Sequence, residues 1–178
     1  ERAVHRGERT LLTCYNEPIA DWLGESAPEN DLLTVGPLQR TLFALAGLGP
    51  LEAPADADAH WWDTEPFRVF ADGSDRVTDL FDTIIVDEAQ DFSPDWFDVL
   101  DGLFRDDGPH RMLILTDPGQ TIYDRGFALP VAGPHLVRAD LTVNCRNTHL
   151  IADLLLPLGG APTAPSSPIG CTAMCAPR

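Results

Sequence analysis

Short apolar runs alternate with amphipathic segments along most of the chain. The runs at residues 10–15, 83–86 and 112–115 are rich in aliphatic and β-branched side chains, which is typical of strands buried on both faces of a sheet. Residues 32–35 form another short apolar run, and residues 136–143 predict a further strand.

The segments between these runs have helical patterns. A short helix is predicted over residues 17–23, and Pro37 opens a second pattern. Ser93 is a predicted N-cap with Pro94 in the first turn, and Thr148 is a predicted N-cap before a leucine-rich stretch. Strands that alternate with helices predict an α/β domain with a mostly parallel sheet flanked by helices. The residues predicted to share the apolar face of the helix after Pro94 are Trp96, Phe97, Leu100, Leu103 and Phe104.

The remaining segments are less regular. Residues 47–59 are rich in Gly, Pro, Ala and Asp, which predicts a loop or an insertion. Residues 61–81 carry aromatic and aliphatic side chains in a pattern that assigns no element. From Pro157 the chain is rich in Gly, Pro, Ala and Ser without periodicity, so we expect residues 157–178 to be a linker or a disordered end.

Charge restricts the functions open to the chain. It has 28 acidic and 12 basic residues, a formal net charge of −16, and all 12 basic residues are arginines. Residues 52–107 alone hold 17 acids and three arginines, a net charge of −14. Such a block repels a polyanion, so any nucleic-acid contact is expected outside it. A mechanism that needs a lysine, such as a Schiff base or a P-loop, cannot be complete within this chain.

Several absences indicate a cytoplasmic protein. No apolar run approaches the ~20 residues of a membrane-spanning helix, and the polar N-terminus has no secretory apolar stretch. The four cysteines form no disulfide framework for a domain of this size, which favours a reducing compartment. Cys171 and Cys175 resemble half of a zinc site, but no second pair accompanies them, and ordinary tail residues are the favoured interpretation. The five histidines show no ligand spacing and are interpreted as structural or exposed.

Two adjacent carboxylates, Asp87 and Glu88, follow the predicted strand at 83–86 directly. Ligands of open α/β sheets bind at the carboxyl ends of the strands. An acid pair there suits a magnesium–nucleotide site, in which one carboxylate holds the metal and the next orients or deprotonates water. The alternative is that acids end a strand because the chain emerges into solvent. The complete string Asp-Glu-Ala-Gln-Asp at 87–91 favours the functional interpretation.

That string resembles motif II, the Walker B element, of superfamily 1 DNA helicases of the UvrD/Rep type. Residues 115–123 (Leu-Thr-Asp-Pro-Gly-Gln-Thr-Ile-Tyr) resemble motif III of the same family, and residues 141–147 (Leu-Thr-Val-Asn-Cys-Arg-Asn) resemble motif IV. Residues 11–16 (Leu-Leu-Thr-Cys-Tyr-Asn) are similar to motif Ia. The four motifs occur in the family's order and cover roughly residues 9–156. The fold that the resemblance implies is a RecA-like, P-loop NTPase-type sheet that lacks its Walker A strand and loop.

The resemblance implies roles in ATP hydrolysis with Mg²⁺. Asp87 would bind Mg²⁺, and Glu88 would be the general base that activates water. Gln120 would contact the γ-phosphate, and Arg146 would act as an arginine finger on the transferring phosphoryl group. Taken alone, Arg146 would more often be a surface or ion-paired residue.

The resemblance also implies contacts with single-stranded DNA. Thr13, Tyr15 and Asn16 would contact the strand, and Tyr123 would offer a ring on which a base stacks. Taken alone, each tyrosine would more often be a core or rim aromatic.

Three departures from the family pattern limit what the resemblance implies. The Walker A loop and its lysine, which should precede motif Ia by a helix, are absent. Thr116 stands where motif III usually has glycine, and Cys145 stands where motif IV usually has the tyrosine that stacks on adenine. The implied organisation is the distal part of a first motor domain at 1–140, the start of a second at 141–156, and the tail at 157–178.

Three functions are therefore carried forward. The favoured one is part of an ATP-dependent superfamily 1 helicase or translocase, inactive as an isolated chain, with the rest of the motor and single-stranded DNA as partners. The alternative is a non-enzymatic interaction module derived from such a domain, for which the charge favours a protein partner. A metal-dependent phosphoesterase built on Asp87, Glu88 and Asp91 is weaker, because it explains neither Gln120 nor Arg146. An unpaired edge of the incomplete sheet predicts self-association.

Overall fold

A computed structural model describes residues 1–78, 80–117, 120–121, 126–128, 139 and 154. The chain divides into two compact units, residues 1–128 and 129–178, and every element below belongs to the first. The predicted strand at 136–143, the motif IV segment, the helix after Thr148 and the tail lie outside the described residues, apart from Ala139 and Leu154.

Four parallel strands form the sheet of the described region. They are β1 (Thr10–Cys14), β2 (Leu33–Pro37), β3 (Thr83–Asp87) and β4 (Arg111–Ile114). Their spatial order is β2-β1-β3-β4, and every neighbouring pair is parallel. The expected α/β fold with a parallel sheet is confirmed, and the run at 32–35 belongs to a strand.

Helices occupy the connections between these strands, as parallel pairing requires. The helices are α1 (Arg2–His5), α2 (Glu17–Ser26), α3 (Leu38–Leu45), α4 (Ala59–Gly73) and α5 (Asp95–Asp101), with 3₁₀ turns at Ser74–Arg76 and Ala89–Asp91. The Asn16 side chain caps α2 by accepting from the Ile19 N–H at 3.3 Å. In the same way Asp58 caps α4 through the Trp61 N–H at 2.8 Å. None of the helices in the described part of the chain is long and apolar enough to cross a membrane.

The core lies between the strands and the helices that follow them. Trp96 of α5 is 2% exposed and meets the ring of Phe67 edge-on at 5.7 Å. Tyr15 meets Phe92 in the same way, also at 5.7 Å, just beyond the ends of β1 and β3. Burial of aromatic side chains of this size supplies much of the stability of a small domain. The aliphatic residues buried with them include Leu11, Leu38, Leu42, Ile84, Val86 and Leu100.

Two sequence predictions about these elements are wrong. Helix α5 begins at Asp95 with Pro94 at the N-cap position, and no side chain caps it, so Ser93 does not have that role. The helix ends before Gly102, so Leu103 and Phe104 pack into the core from the segment that follows it.

Strand β4 also differs from its prediction as a strand buried on both faces. Leu113 is 51% exposed and Leu115 is 41% exposed, whereas Met112 and Ile114 are partly buried against the core. Among the described strands β4 pairs only with β3. One face at this edge of the sheet is therefore open to solvent.

The amino ends of β1, β3 and β4 meet around the buried carboxylate of Glu8. It accepts hydrogen bonds from Arg6 at 2.7 and 2.9 Å and from the Thr83 hydroxyl at 2.7 Å, and it also pairs with Arg111. The hydrogen bonds from Arg6 and Thr83 lower the pKa of Glu8 from 4.5 to about 2. Nearby, Asp82 accepts from the Arg9 N–H at 2.8 Å and lies 3.6 Å from Arg105. Both acids at this edge are compensated by arginine or backbone donors.

Candidate functional site

The carboxyl ends of β1, β2 and β3 lie side by side. In the parallel register Cys14 is opposite both Pro37 and Asp87, so the strands end at the same level. The neighbouring β4 ends at Ile114, opposite Val86. The segments that follow β1, β3 and β4 therefore emerge at one edge of the sheet, and these are the segments that carry the candidate motifs.

The acid pair after β3 has an unusual backbone. Asp87 ends the strand, and its Oδ1 accepts the Glu88 N–H at 3.1 Å. Glu88 has φ 51° and ψ 48°, the left-handed region, and is the one non-glycine residue with positive φ among those described. A Cβ-bearing residue in this region is strained, and such strain is concentrated at functional sites. The turn directs the chain into the 3₁₀ turn Ala89–Asp91.

Gln90 connects the acid pair to the segment after β4. Its side chain is 2% exposed. Nε2 donates to Oε2 of Glu88 at 2.6 Å, while Oε1 accepts from the Thr116 hydroxyl and from the Asp117 N–H, each at 3.1 Å. Two backbone bonds at 2.9 Å support this arrangement, from the Ala89 N–H to Leu115 O and from the Leu115 N–H to Val86 O.

Gln120 lies on the same side of the sheet, at the end of the described part of this segment. Its Nε2 donates to Asp117 Oδ2 at 2.5 Å, and its backbone N–H donates to the Asp117 carbonyl at 3.0 Å. Asp117 is itself held by Gln90 through its N–H. A continuous chain of hydrogen bonds thus runs from Glu88 through Gln90 and Asp117 to Gln120.

The motif Ia residues at the end of β1 differ in accessibility. Thr13 is fully buried, and its hydroxyl donates to the Gly36 carbonyl at 2.9 Å, so in this structure it holds β1 to β2 and has no surface to offer DNA. Tyr15 is partly buried against Phe92, and Asn16 is exposed while it caps α2. Only Tyr15 and Asn16 of the three present surface at this edge.

Cys14 is opposite Asp87 on the neighbouring strand and is a free, buried thiol. Burial raises its pKa to about 11, and the negative charges of Asp87, Glu88 and Asp21 add to the shift. Its Sγ donates to the Asn16 carbonyl at 3.3 Å. A thiol of this kind stays protonated at neutral pH, so it is a structural residue and not a nucleophile.

The acid pair fits one magnesium ion better than a protein-enclosed metal. Within the described residues no three His, Cys, Asp or Glu side chains are grouped as a metal site. Asp87 and Glu88 are both partly exposed, and the second oxygen of each carboxylate accepts no hydrogen bond from the described residues. Mg²⁺ typically keeps several waters and uses one or two carboxylates together with substrate phosphates. The donor set at the end of β3 matches that requirement.

Two of the residues singled out in the sequence, Tyr123 and Arg146, lie outside the described residues. Of the others, Asp87, Glu88 and Gln120 belong to one hydrogen-bonded assembly, and Tyr15 and Asn16 lie at the same sheet edge. Gln90 was not identified as a site residue. Its only local signal is its place in the acidic string at 87–91, between Ala89 and Asp91.

Comparison with known proteins adds no relative to these observations. The chain matches no protein-family model, no curated protein and no solved structure.

Proposed function

We propose that this chain carries part of the ATP site of a superfamily 1 DNA helicase or translocase, in a RecA-like motor domain. The observation that carries the proposal is the Gln90 bridge, which joins the acid pair after β3 to the segment that leads to Gln120. The segments that resemble motif II and motif III are held together by this bridge at adjacent strand ends. Parallel α/β sheets bind their ligands at this edge.

In this proposal the two acids have different roles. Asp87 would hold the Mg²⁺ ion of a magnesium–nucleotide complex, and the chemistry supplied there would be neutralisation of charge on phosphate oxygens. Glu88 keeps one carboxylate oxygen on Gln90 and uses the other to orient and deprotonate the attacking water. Gln120 contacts the terminal phosphate. Since the chain contains no lysine, the lysine that P-loop sites place on the phosphates has to come from outside these residues.

Single-stranded DNA is the proposed polymer substrate of the complete motor. Tyr15 and Asn16 emerge beside the acid pair, at the carboxyl end of β1, and Tyr15 presents part of an aromatic ring. Stacking of bases on such rings is tolerant of sequence, as a translocase needs. The net charge of −14 over residues 52–107 opposes nonspecific binding of DNA. The single-stranded DNA is therefore expected to pass along the β1 side of this edge.

Calorimetric titration of the full chain with Mg²⁺ and a non-hydrolysable ATP analogue tests the nucleotide site. We expect weak, Mg²⁺-dependent binding of the analogue. Asp87→Asn should abolish this binding, and Glu88→Gln should change its affinity. Asp101→Asn is the matched control, because it makes the same change of charge at an exposed residue of α5. Binding that survives Asp87→Asn, or that is equally weakened by Asp101→Asn, would contradict the proposal.

Two exposed leucines, one in β4 and one directly after it, favour a second candidate, an interaction module that self-associates or docks a protein. Leu113 and Leu115 present apolar surface at the edge of the described sheet. Sedimentation velocity over a range of protein concentrations distinguishes the two candidates. A dimer that Leu113→Thr dissociates would support the module, and a monomer at all concentrations would contradict it.

A further inference from the structure

Gln90 is a buried amide whose two ends serve different parts of the edge. The donor end faces the Glu88 carboxylate at 2.6 Å, and the acceptor end faces Thr116 Oγ1 and the Asp117 N–H at 3.1 Å. The two partners of the acceptor end lie 26 and 27 residues away in the sequence. Gln90 itself is only 2% exposed, which limits the access of water to its amide.

The network fixes both the orientation and the chemical type of this side chain. A flipped amide would place its NH₂ group against the Asp117 N–H and its oxygen against the Glu88 carboxylate, which is repulsive at both ends. An ionised glutamate at position 90 would have no proton to donate and would repel Glu88. An apolar side chain would remove the acceptor that the Thr116 hydroxyl and the Asp117 N–H share in this structure. Only a primary amide of this length satisfies all three contacts.

We propose that Gln90 is a positioning residue that couples the Glu88 carboxylate to the segment at 115–121. A change at the acid pair moves the amide, and the amide moves Thr116 and Asp117, from which Gln120 is held. This role rests on the proposed function, because it describes how a change at the acid pair during ATP hydrolysis would be transmitted to Gln120.

A ligand-free NMR experiment on the full chain tests the coupling. Glu88→Ala removes the carboxylate, and we expect it to shift the backbone amide resonances of Thr116 and Asp117. In a Gln90→Met background, which keeps the length and removes both polar ends, the same Glu88→Ala change is expected to leave those resonances unmoved. Equal shifts with and without Gln90 would overturn the proposal.

Matched variants separate coupling from a general structural effect. Gln39→Met makes the same substitution at a partly buried glutamine of α3, whose Nε2 has no hydrogen-bond partner among the described residues, so the coupling should persist. Thr116→Ser keeps the hydroxyl and should retain the full response, whereas Thr116→Val should reduce it. If Gln90→Met does not fold, the Ser and Val variants at Thr116 decide: an identical response to Glu88→Ala in both would overturn the proposal.

Titration of the same samples with MgCl₂ alone keeps the two proposals distinguishable. If Mg²⁺ binds, the resonances of Asp87 and Glu88 should shift in both backgrounds, and those of Thr116 and Asp117 only when Gln90 is present. Absence of any Mg²⁺ response at Asp87 would count against the proposed nucleotide site. The ligand-free coupling measurement would stand independently of that result.

Discussion

The left-handed backbone at Glu88 gives a prediction whose sign depends on conformation alone. With φ 51° and ψ 48°, this position places a Cβ close to the following carbonyl oxygen. We compare Glu88→Gly with Glu88→Ala. Both substitutions remove the carboxylate that accepts from Gln90, so the loss of that hydrogen bond is common to both and cancels in the comparison.

The expected difference follows from two opposing terms. A Cβ in the left-handed region costs roughly 1–2 kcal/mol, and glycine is free of this cost. Glycine loses more backbone entropy on folding, which costs roughly 0.5–1 kcal/mol relative to alanine. The first term exceeds the second, so the glycine variant should be the more stable by about 0.5–1 kcal/mol.

Urea denaturation of the full chain, followed by tryptophan fluorescence, measures this difference, because the indole of Trp96 is buried and becomes exposed on unfolding. The control is the same pair of substitutions at Asp98, an exposed residue inside α5. At Asp98 the alanine variant should be the more stable of the two by about 1 kcal/mol, which is the ordinary difference in helix propensity between alanine and glycine. The reasoning would be refuted if alanine were at least as stable as glycine at position 88.

Three further predictions concern the edges of the sheet. Because the folded pKa of Glu8 is depressed from 4.5 to about 2, the stability that its ionised carboxylate contributes is present above about pH 4.5 and lost as the pH falls toward 2. The urea midpoint of the wild-type chain should therefore exceed that of Glu8→Gln by less and less across this pH range. A constant difference between the two midpoints would contradict this. In Gly36→Ala the new Cβ would lie 2.6 Å from Thr41 Oγ1, so a thermal melt should show a loss of about 1–3 kcal/mol that Thr41→Ala largely restores. Since the pKa of Cys14 is raised to about 11, iodoacetamide at pH 8 should label its peptide far more slowly in the native chain than in urea, as read by mass spectrometry, and equal rates would exclude a buried thiol.

The strands could be predicted from the sequence because their signal is local. The β-branched run at 83–86 and the aliphatic runs before and after it have the composition of buried parallel strands, and the order of elements along the chain implies the crossovers. The same reasoning placed Asp87 and Glu88 at the carboxyl end of a strand, which the fold confirms.

Helix α4 could not be predicted, because several of its residues disfavour a helix. It contains Pro66, which removes a backbone donor, and adjacent bulky aromatics at Trp61 and Trp62. Its formation depends on the Asp58 cap and on burial of Phe70 in the core, which is 4% exposed. Tertiary packing therefore overrides the local preference here.

The hydrogen bonds of Gln90 could not be predicted from the sequence for a different reason. Its partners at Thr116 and Asp117 come close only after β3 and β4 pair, and one sequence carries no record of which distant residues will meet. The exposure of Leu113 has the same origin, since an apolar run does not reveal whether its strand lies inside the sheet or at its edge.

The carboxylates at the amino and carboxyl edges of the sheet differ in whether a positive charge lies beside them. This difference is the strongest electrostatic argument for a cation site. At the amino edge Glu8 is paired with Arg6 and Arg111, and Asp82 lies beside Arg105. At the carboxyl edge no arginine of the described residues pairs with Asp87 or Glu88, although both are partly withdrawn from solvent and lie next to each other. Two adjacent, partly buried like charges are unfavourable unless a positive charge compensates them. In the proposed function a bound divalent cation would supply that compensation, whereas arginines supply it at the amino edge.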